Sequence, residues 1–479
     1  MSFTSILFIP FMIVCIMGVS ILSLITRNKD KNNNIVFLFI ILCSFVFICM
    51  YNVISLIVLL LVSLVSYACG ILIEKNDERT KKALLIIAIV LLTLLLVLFK
   101  YLVWAKSQTA YFDFDNSILE KIVLPVGISF YIFTSIGYLA DIYSGKYKAE
   151  HNLIYILMMI CFFPKIVAGP IVRGDDFLPQ LHSYKGITKE GFAEGIQIFC
   201  IGAFKKLVMA NRMDIFVNDV YRSPAAYDSQ TVMLAIISYS FQIYLDFSGY
   251  SDMAIGIARI LGIDIKPNFD FPYVSSGSSE FWQRWHISLS SWLRDYIYYP
   301  LGGSRKGKYR TYINLIVVMV ISGMWHGFGP TFLVWGLLHG VWACIDRIIR
   351  SGSKAADCPS KAMTAVWKVC SAIFSFVIAS ILWVFFRAET LETAVIVLTR
   401  AVSRQNGIHQ PYVWSYISIA LVIIVLIYEK IISHGKELHG KYHLQNLETI
   451  HGLTVFFVFA GVTLLFAYFG NTAFIYDAF

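Results

Sequence analysis

Thr311-Tyr-Ile-Asn-Leu-Ile-Val-Val-Met-Val-Ile-Ser-Gly-Met-Trp-His-Gly-Phe-Gly-Pro-Thr-Phe-Leu-Val-Trp-Gly-Leu-Leu-His-Gly-Val-Trp-Ala-Cys-Ile345 runs for 35 residues without an Asp, Glu, Lys or Arg. One membrane crossing takes roughly 20 apolar residues, so the stretch is too long for one helix. Gly327-Phe-Gly-Pro330 supplies the break, because glycine and proline together end helices. The reading is a pair of apolar helices joined by a tight turn, with His326 just before the turn and His339 inside the second helix.

The rest of the chain has the same character. Of 479 residues, 58% are hydrophobic and 14% charged, whereas soluble domains carry roughly a quarter charged residues. That excludes a water-soluble globule. Further uncharged runs cover 1 to 26, 35 to 73, 83 to 99, 122 to 140, 229 to 245, 369 to 386, 411 to 428 and 449 to 476. The 35 to 73 run is again too long for one crossing and divides near Tyr51 and Asn52. Weaker apolar stretches at 153 to 172, 192 to 212 and 246 to 263 contain charges and read as crossings, tilted helices or re-entrant pieces. The expected architecture is one all-α polytopic domain over 1–479 with about eleven crossings. It divides into N-terminal spans (1–100), a motif-bearing core (100–345) and C-terminal spans (346–479).

The first 26 residues lack a basic n-region and a clear cleavage site, so they read as a retained first span rather than a signal peptide. Loop charge sets the orientation. Arg27, Lys29 and Lys31, then Lys75, Arg79, Lys81 and Lys82, then Lys146 and Lys148 belong inside, and Asp113, Asp115 and Glu120 outside. The N-terminus is therefore expected to face out. The net charge of +9 comes from short clusters between spans, not from one basic tract, which argues against nucleic acid. The nine cysteines, at 15, 43, 49, 69, 161, 200, 344, 358 and 370, form no C-x-x-C pair and suggest neither a disulfide framework nor a zinc site. No internal repeat stands out, which argues against an inverted-repeat transporter.

Ionisable groups at membrane depth are functional by default. Histidine suits such a place because it stays neutral near physiological pH yet accepts a proton. For both His326 and His339 the alternative is a packed ring hydrogen-bonded to a neighbouring helix. A second candidate site is Phe281 to Ser304, FWQRWHISLSSWLRDYIYYPLGGS. Trp282, Trp285, Leu289, Trp292 and Tyr296 fall on one helical face, and Arg284, Arg294 and Asp295 interrupt any crossing. It reads as an interfacial helix with its aromatics at headgroup depth, and His286 is either a belt residue or chemically active. The following Gly302 to Lys308, GGSRKGK, fits the phosphate-loop spacing, but Tyr309 stands where Ser or Thr must hold magnesium, so an NTPase is rejected. The basic turn is left for plain anchoring, lipid phosphates or the phosphates of an acyl donor. Two further segments, Tyr244 to Asp252 with Asp246, and Phe163 to Arg173 with Lys165, place charges in apolar surroundings, as structural ion pairs or as a tunnel lining.

Leu124-Pro-Val-Gly-Ile-Ser-Phe-Tyr131, Phe163 to Arg173 followed by Asp176-Phe-Leu-Pro-Gln180, Tyr244 to Asp252, Phe281 to Ser304 and Gly323-Met-Trp-His-Gly327 occur in an order that resembles the membrane-bound O-acyltransferase family. Within it the chain looks most like the bacterial alginate O-acetyltransferase branch. The resemblance spans roughly residues 100 to 345. It implies a ring of about eleven helices around a thin centre with a funnel and a tunnel. It also implies that His326 is the catalytic histidine and that His286 is the family's second one.

On that footing His326 is expected to act as general base on an acceptor hydroxyl, with His286 positioning the donor or sharing the proton. His339, Trp325, Trp285, Arg284, Trp282 and Asp246 are expected to support these two or to line the tunnel. No bound cofactor or metal is expected. The donor is acetyl-CoA or an acyl-thioester carrier on the cytoplasmic side, drawn by the basic loops, and the acceptor is an exported polysaccharide. The resemblance adds a partner, an exported or membrane-anchored hydrolase-like acetyltransferase, in a plasma or inner membrane. The alternatives are D-alanyl transfer to lipoteichoic acid, peptidoglycan O-acetylation and, more distantly, transport of an acylated lipid or sugar.

Overall fold

A computed structural model describes residues 2–26, 33–108, 123–352, 361–432 and 445–470. The orientation markers Arg27, Lys29, Lys31, Asp113, Asp115 and Glu120, and also Cys358, lie outside the described residues. Helices dominate, and among the described residues the β-structure is a single isolated bridge between Tyr227 and Ile408. In chain order the first helices are α1 (Phe8–Thr26), α2 (Asn34–Cys49), α3 (Val53–Lys75), α4 (Glu78–Gln108), α5 (Ile128–Tyr143), α6 (Leu153–Cys161), α7 (Phe163–Ile166), α8 (Gly174–His182) and α9 (Lys189–Ala203). Then follow α10 (Asn211–Arg222), α11 (Ser229–Ile260), α12 (Ser278–Arg284), α13 (Ile287–Leu293), α14 (Lys308–His326), α15 (Pro330–Gly352), α16 (Lys361–Arg387), α17 (Leu391–Val402), α18 (Val413–Ile432) and α19 (Ile450–Phe466).

Among the described residues six helices are long and apolar enough to cross a membrane: α1, α3, α4, α11, α15 and α16. The shorter apolar helices α2, α18 and α19 join them. The surroundings of these spans differ sharply. Only 22% of the apolar window of α4 is buried by protein, against 89% for α11. Leu91, Leu94 and Leu98 of α4 are more than half exposed, a surface that calls for lipid rather than water. α11 is a protein-enclosed span, and that is where polar side chains at membrane depth find partners.

Both long apolar runs divide where expected. Asn52 ends the first half of 35–73 and caps α3, its side-chain oxygen accepting from the Ser55 N–H at 2.7 Å. α14 stops at His326, and α15 begins with Pro330, whose fixed φ and missing N–H suit a first helical turn. α14 and α15 pack against each other with very little between them. A Cβ added at Gly336 would lie 2.5 Å from the Met319 carbonyl oxygen, and one at Gly340 would lie 2.8 Å from Ile316 Cα. Two glycines four residues apart thus let the backbones touch.

Three sequence expectations need correction. The run 229 to 245 and most of the stretch 246 to 263 are one helix, α11, of 32 residues, because no proline interrupts it and its charges are paired, Asp246 with buried Lys206 and Arg259 with Glu194 and Asp264. The stretch 153 to 172 is not one continuous helix, which leaves a re-entrant piece among its readings: α6 ends at Cys161, Phe162 leaves helical geometry, α7 is a single turn, and the chain is non-helical from there to α8. The interfacial helix from Phe281 is two short helices, α12 and α13, divided at Trp285 and His286. Trp285 and Trp292 are 1% and 5% exposed, so they are core side chains rather than a headgroup belt.

Contacts group the chain into two compact units. One comprises Met1–Ala203, Tyr250–Lys266 and Leu444–Val462, and the other Phe204–Gly249, Pro267–His443 and Thr463–Phe479. In the first, α3 packs on α4, α5 and α6, with α2 against α3 and α6. In the second, the α14–α15 hairpin is flanked by α12 and α16. All three candidate histidines belong to the second unit.

Candidate active site

His286 stands at a break in the helix. Its φ is +44°, in the left-handed region that a side chain larger than glycine enters only when its surroundings hold it there. The segment 268–270 does the holding by taking over hydrogen bonds that a continuous helix would have made. Asp270 N–H donates to the Arg284 carbonyl and Ile287 N–H to the Asn268 carbonyl, both at 2.9 Å. The side chain of Asn268, itself 1% exposed, completes the clamp. Its Oδ1 accepts from Ser288 N–H at 3.0 Å and from the Ser288 hydroxyl at 2.9 Å, and it faces His286 Nδ1 at 3.2 Å.

A backbone N–H can only donate, so the Ser288 contact identifies that Asn268 atom as oxygen. His286 Nδ1 therefore carries a proton and donates to it, which leaves the lone pair of the neutral ring on Nε2. The imidazole also stands edge-on to Phe247 of α11 at 4.7 Å between centroids.

His326 ends α14 and is 3% exposed. Its ring packs against Trp325 at 4.7 Å, Trp335 at 5.3 Å and Phe386 at 5.0 Å. Trp325 in turn lies 5.9 Å from His286. The two histidines, 40 positions apart in sequence, thus share one indole between them. Trp335 does the same on the other side, lying 4.7 Å from His339 of α15. The result is an alternating series, His286, Trp325, His326, Trp335, His339, running through the buried part of one unit.

The residues expected to support the histidines divide. Trp325 is inside the series, and Trp282 packs 5.1 Å from His339. Trp285 sits behind it, 4.8 Å from Trp383, which also stacks on Trp335 at 5.7 Å. His339 is fully buried among these rings, and among the described residues neither of its nitrogens has a hydrogen-bond partner. Arg284 is engaged elsewhere. It pairs with Glu280 at 3.0 Å and with Asp270 at 3.6 Å, bracing the break that carries His286. Asp246 forms a buried ion pair with Lys206. Lys165, which belongs to the first unit, has no carboxylate within 4.0 Å among the described residues, and its ammonium donates to the Ile160 carbonyl at 3.5 Å.

Sequence reasoning missed Asn268, Trp383 and Phe386. The last two lie three residues apart in an uncharged run, a spacing that reads as one face of a span and gives no hint of what the face touches. Asn268 follows Pro267 in a loop, where an asparagine looks like any turn residue.

Residues 146–386 match the family model of the membrane-bound O-acyltransferases. A probable alginate O-acetylase of Pseudomonas aeruginosa is 37% identical over 365 residues, covering 74% of this chain and 68% of that protein. A peptidoglycan O-acetyltransferase of Helicobacter pylori is 33% identical over 406 residues, covering 78% and 74%. A teichoic acid D-alanyltransferase of Bacillus subtilis is 29% identical over 255 residues, covering 50% and 64%.

Proposed function

The chain belongs to the membrane-bound O-acyltransferase family and is a multi-pass membrane acyltransferase; we propose that it moves an acetyl group from a cytoplasmic thioester toward the hydroxyls of an exported polysaccharide, with His326 as general base. The observation that carries this reading is the alternating histidine and tryptophan series. It packs two buried histidines of separate motifs against the same Trp325 ring, at 5.9 and 4.7 Å between centroids.

In the proposed reaction the acceptor oxygen attacks the thioester carbonyl carbon while His326 takes the hydroxyl proton. The carbon–sulfur bond breaks, and the thiolate leaves and recovers that proton from the imidazolium. His286, with Nδ1–H committed to Asn268 and its lone pair on Nε2, orients the donor or shares the proton. The series excludes bulk water, which protects the thioester from hydrolysis and strengthens electrostatic interactions inside the site. Acetyl-CoA or an acyl carrier is the donor, and an exported or membrane-anchored hydrolase-like acetyltransferase is the partner that carries the group onward. The chain sits in the plasma or inner membrane with its N-terminus outside.

Support for acetyl over D-alanyl comes from the relatives. The acetylating proteins are 33% and 37% identical over about three quarters of the chain, the D-alanylating one 29% over half. The test is His326→Ala in purified, nanodisc-embedded protein supplied in parallel with acetyl-CoA and a D-alanyl carrier. Loss of thioester consumption by a factor of about 10² to 10⁴ is expected, the usual worth of a proton-transfer group, with unchanged membrane yield. Retained turnover would sink the assignment, and consumption of the D-alanyl donor alone would move the activity to teichoic acid.

A further inference from the structure

Acyl transfer places negative charge on the carbonyl oxygen while the attacking oxygen is bonded to the same carbon, and hydrogen-bond donors fixed around that oxygen are usually the largest single contribution to the rate. A general base does not supply them. They must come from the same buried surroundings as His326.

Trp335 and His339 stand four residues apart on α15, about one helical turn, so their side chains share a face. α12 packs against α15 and brings Trp282 to that face. The three rings close a triangle, with centroids 4.7 Å apart for Trp335 and His339, 5.1 Å for Trp282 and His339, and 5.9 Å for Trp282 and Trp335. Their polar atoms are spare. The indole nitrogens of Trp282 and Trp335 and both nitrogens of His339 are buried and make no hydrogen bond among the described residues. An indole N–H can only donate, and a neutral imidazole brings one donor and one acceptor, so the triangle holds three donors against a single acceptor. Even with the imidazole lone pair used by one indole, two donors remain. Such atoms are rare in a protein interior, and each opposes burial until an acceptor arrives.

An excess of uncharged donors suits an oxygen that gains negative charge during the reaction and then gives it back. One carbonyl oxygen, with two lone pairs, takes up the two that are left. Trp335 is the member of the triangle that also meets the base, its ring standing edge-on to His326 at 5.3 Å. We propose that Trp335 is a further catalytic residue, its indole N–H donating to the thioester carbonyl oxygen, with His339 N–H as the second donor. This assignment rests on the acyl-transfer reading above. As the acceptor oxygen bonds to the carbonyl carbon, the π electron pair of the C=O bond moves onto the carbonyl oxygen and His326 takes the hydroxyl proton. The pair returns as the carbon–sulfur bond breaks, and the thiolate leaves with that proton. Trp335 and His339 keep their own protons throughout.

The experiment uses the full chain in nanodiscs, isotope-labelled at tryptophan, and the ketone analogue of acetyl-pantetheine in which a methylene replaces the sulfur. Its carbonyl can bind but has no leaving group. One indole proton, assigned to Trp335 by its loss in Trp335→Phe, is expected to move downfield when the ketone binds. In thioester consumption Trp335→Phe keeps an aromatic ring in place and is expected to lower kcat by about 10² to 10³, the usual effect of removing one such donor, with KM nearly unchanged because the bond strengthens only in the transition state. His339→Phe leaves the indole intact and is expected to lose about 10² in kcat, so the test survives a Trp335 variant that fails to fold. Trp342→Phe is the packing control. Its ring lies 5.7 Å from His339, its nitrogen is not among the buried atoms without a partner, and its kcat should equal that of wild type. Wild-type kcat in folded Trp335→Phe, or an indole proton unmoved at ketone concentrations that inhibit turnover, overturns the proposal. Undiminished turnover by His326→Ala, with the ketone-induced shift intact, instead defeats the reading of His326 as base and leaves the Trp335 donor standing.

Discussion

Replacing Asn268 by Ala removes one oxygen that receives Ser288 N–H, the Ser288 hydroxyl and His286 Nδ1–H. A carbonyl oxygen has two lone pairs, so three donors share about two bonds' worth of stabilisation, roughly 1–3 kcal/mol in total. The half-buried Ser288 N–H and the buried His286 Nδ1–H are left without that acceptor, which makes the upper part of the range the better figure. Moreover, a non-glycine residue at φ +44° carries about 1–3 kcal/mol of strain that persists only while its surroundings enforce it. With the clamp gone, the turn relaxes and the imidazole leaves its place beside Trp325. Thioester turnover is expected to fall about 10²-fold, the lower end of what a placed proton-transfer or orienting group contributes. The assay is thioester consumption in nanodiscs for Asn268→Ala, His286→Ala, the double variant and Asn268→Asp. If Asn268 acts through His286, the double variant is no slower than His286→Ala alone, because residues in one hydrogen-bonded unit are not additive. Asn268→Asp keeps both acceptor lone pairs and recovers most of the folding stability. Additive losses in the double variant, or turnover of Asn268→Ala within twofold of wild type, would refute the reasoning.

Three other perturbations test the frame around the site. Gly336→Ala forces a Cβ onto the Met319 carbonyl and is expected to destabilise by about 1–3 kcal/mol, the usual range for overpacking; Gly461→Ala in α19, with no atom within 4 Å of its Cβ, is the clash-free control and should be unchanged or stabilised by up to about 1 kcal/mol in the same melts. Asp246→Asn removes the paired carboxylate charge from beside buried Lys206 and is expected to cost up to about 3–5 kcal/mol, whereas Lys206→Met with Asp246→Leu together should restore most of that in the same melts. The third is pH. Desolvation alone would raise the Asp228 carboxyl, but hydrogen bonds from Thr231 and His409 hold it below its ordinary value of 3.8. A carboxyl depressed in the folded state adds stability above the unfolded value that is lost as pH falls through the folded one. The protection factor of the Thr231 and Ile408 amides, the exchange rate divided into its intrinsic value at each pH, is therefore expected to be flat from neutral pH down to about 4 and to fall below it; a fall that begins above pH 5 would contradict the assignment.

How much could be read in advance depended on how local the cause was. The divisions at Asn52 and at Gly327–Pro330 rest on capping and on backbone chemistry within four residues, so they appear where the sequence puts them. The order of motifs from Leu124 to Gly327 sufficed for the family. Trp285 shows the opposite case. A tryptophan on an apolar helical face has the same spacing whether the face meets headgroups or other side chains, and only the packing against Trp383 and Tyr244 distinguishes the two. Asp246 was legible as a charge that needed an explanation, but its partner lies 40 positions earlier and no periodicity links it to Lys206.

The amino-acid sequence by itself determined that the chain is a helical membrane protein and where its apolar helices break, because hydrophobic length, glycine and proline act over a few residues, while the order of its motifs carried the resemblance to the acyltransferase family. Only the tertiary structure decided that His286, His326 and His339 share their indoles, that Asn268 sets the tautomer of His286, and that Asp246 finds Lys206. Those relations join residues tens of positions apart, and they exist only once helices that look alike in hydropathy have chosen their neighbours.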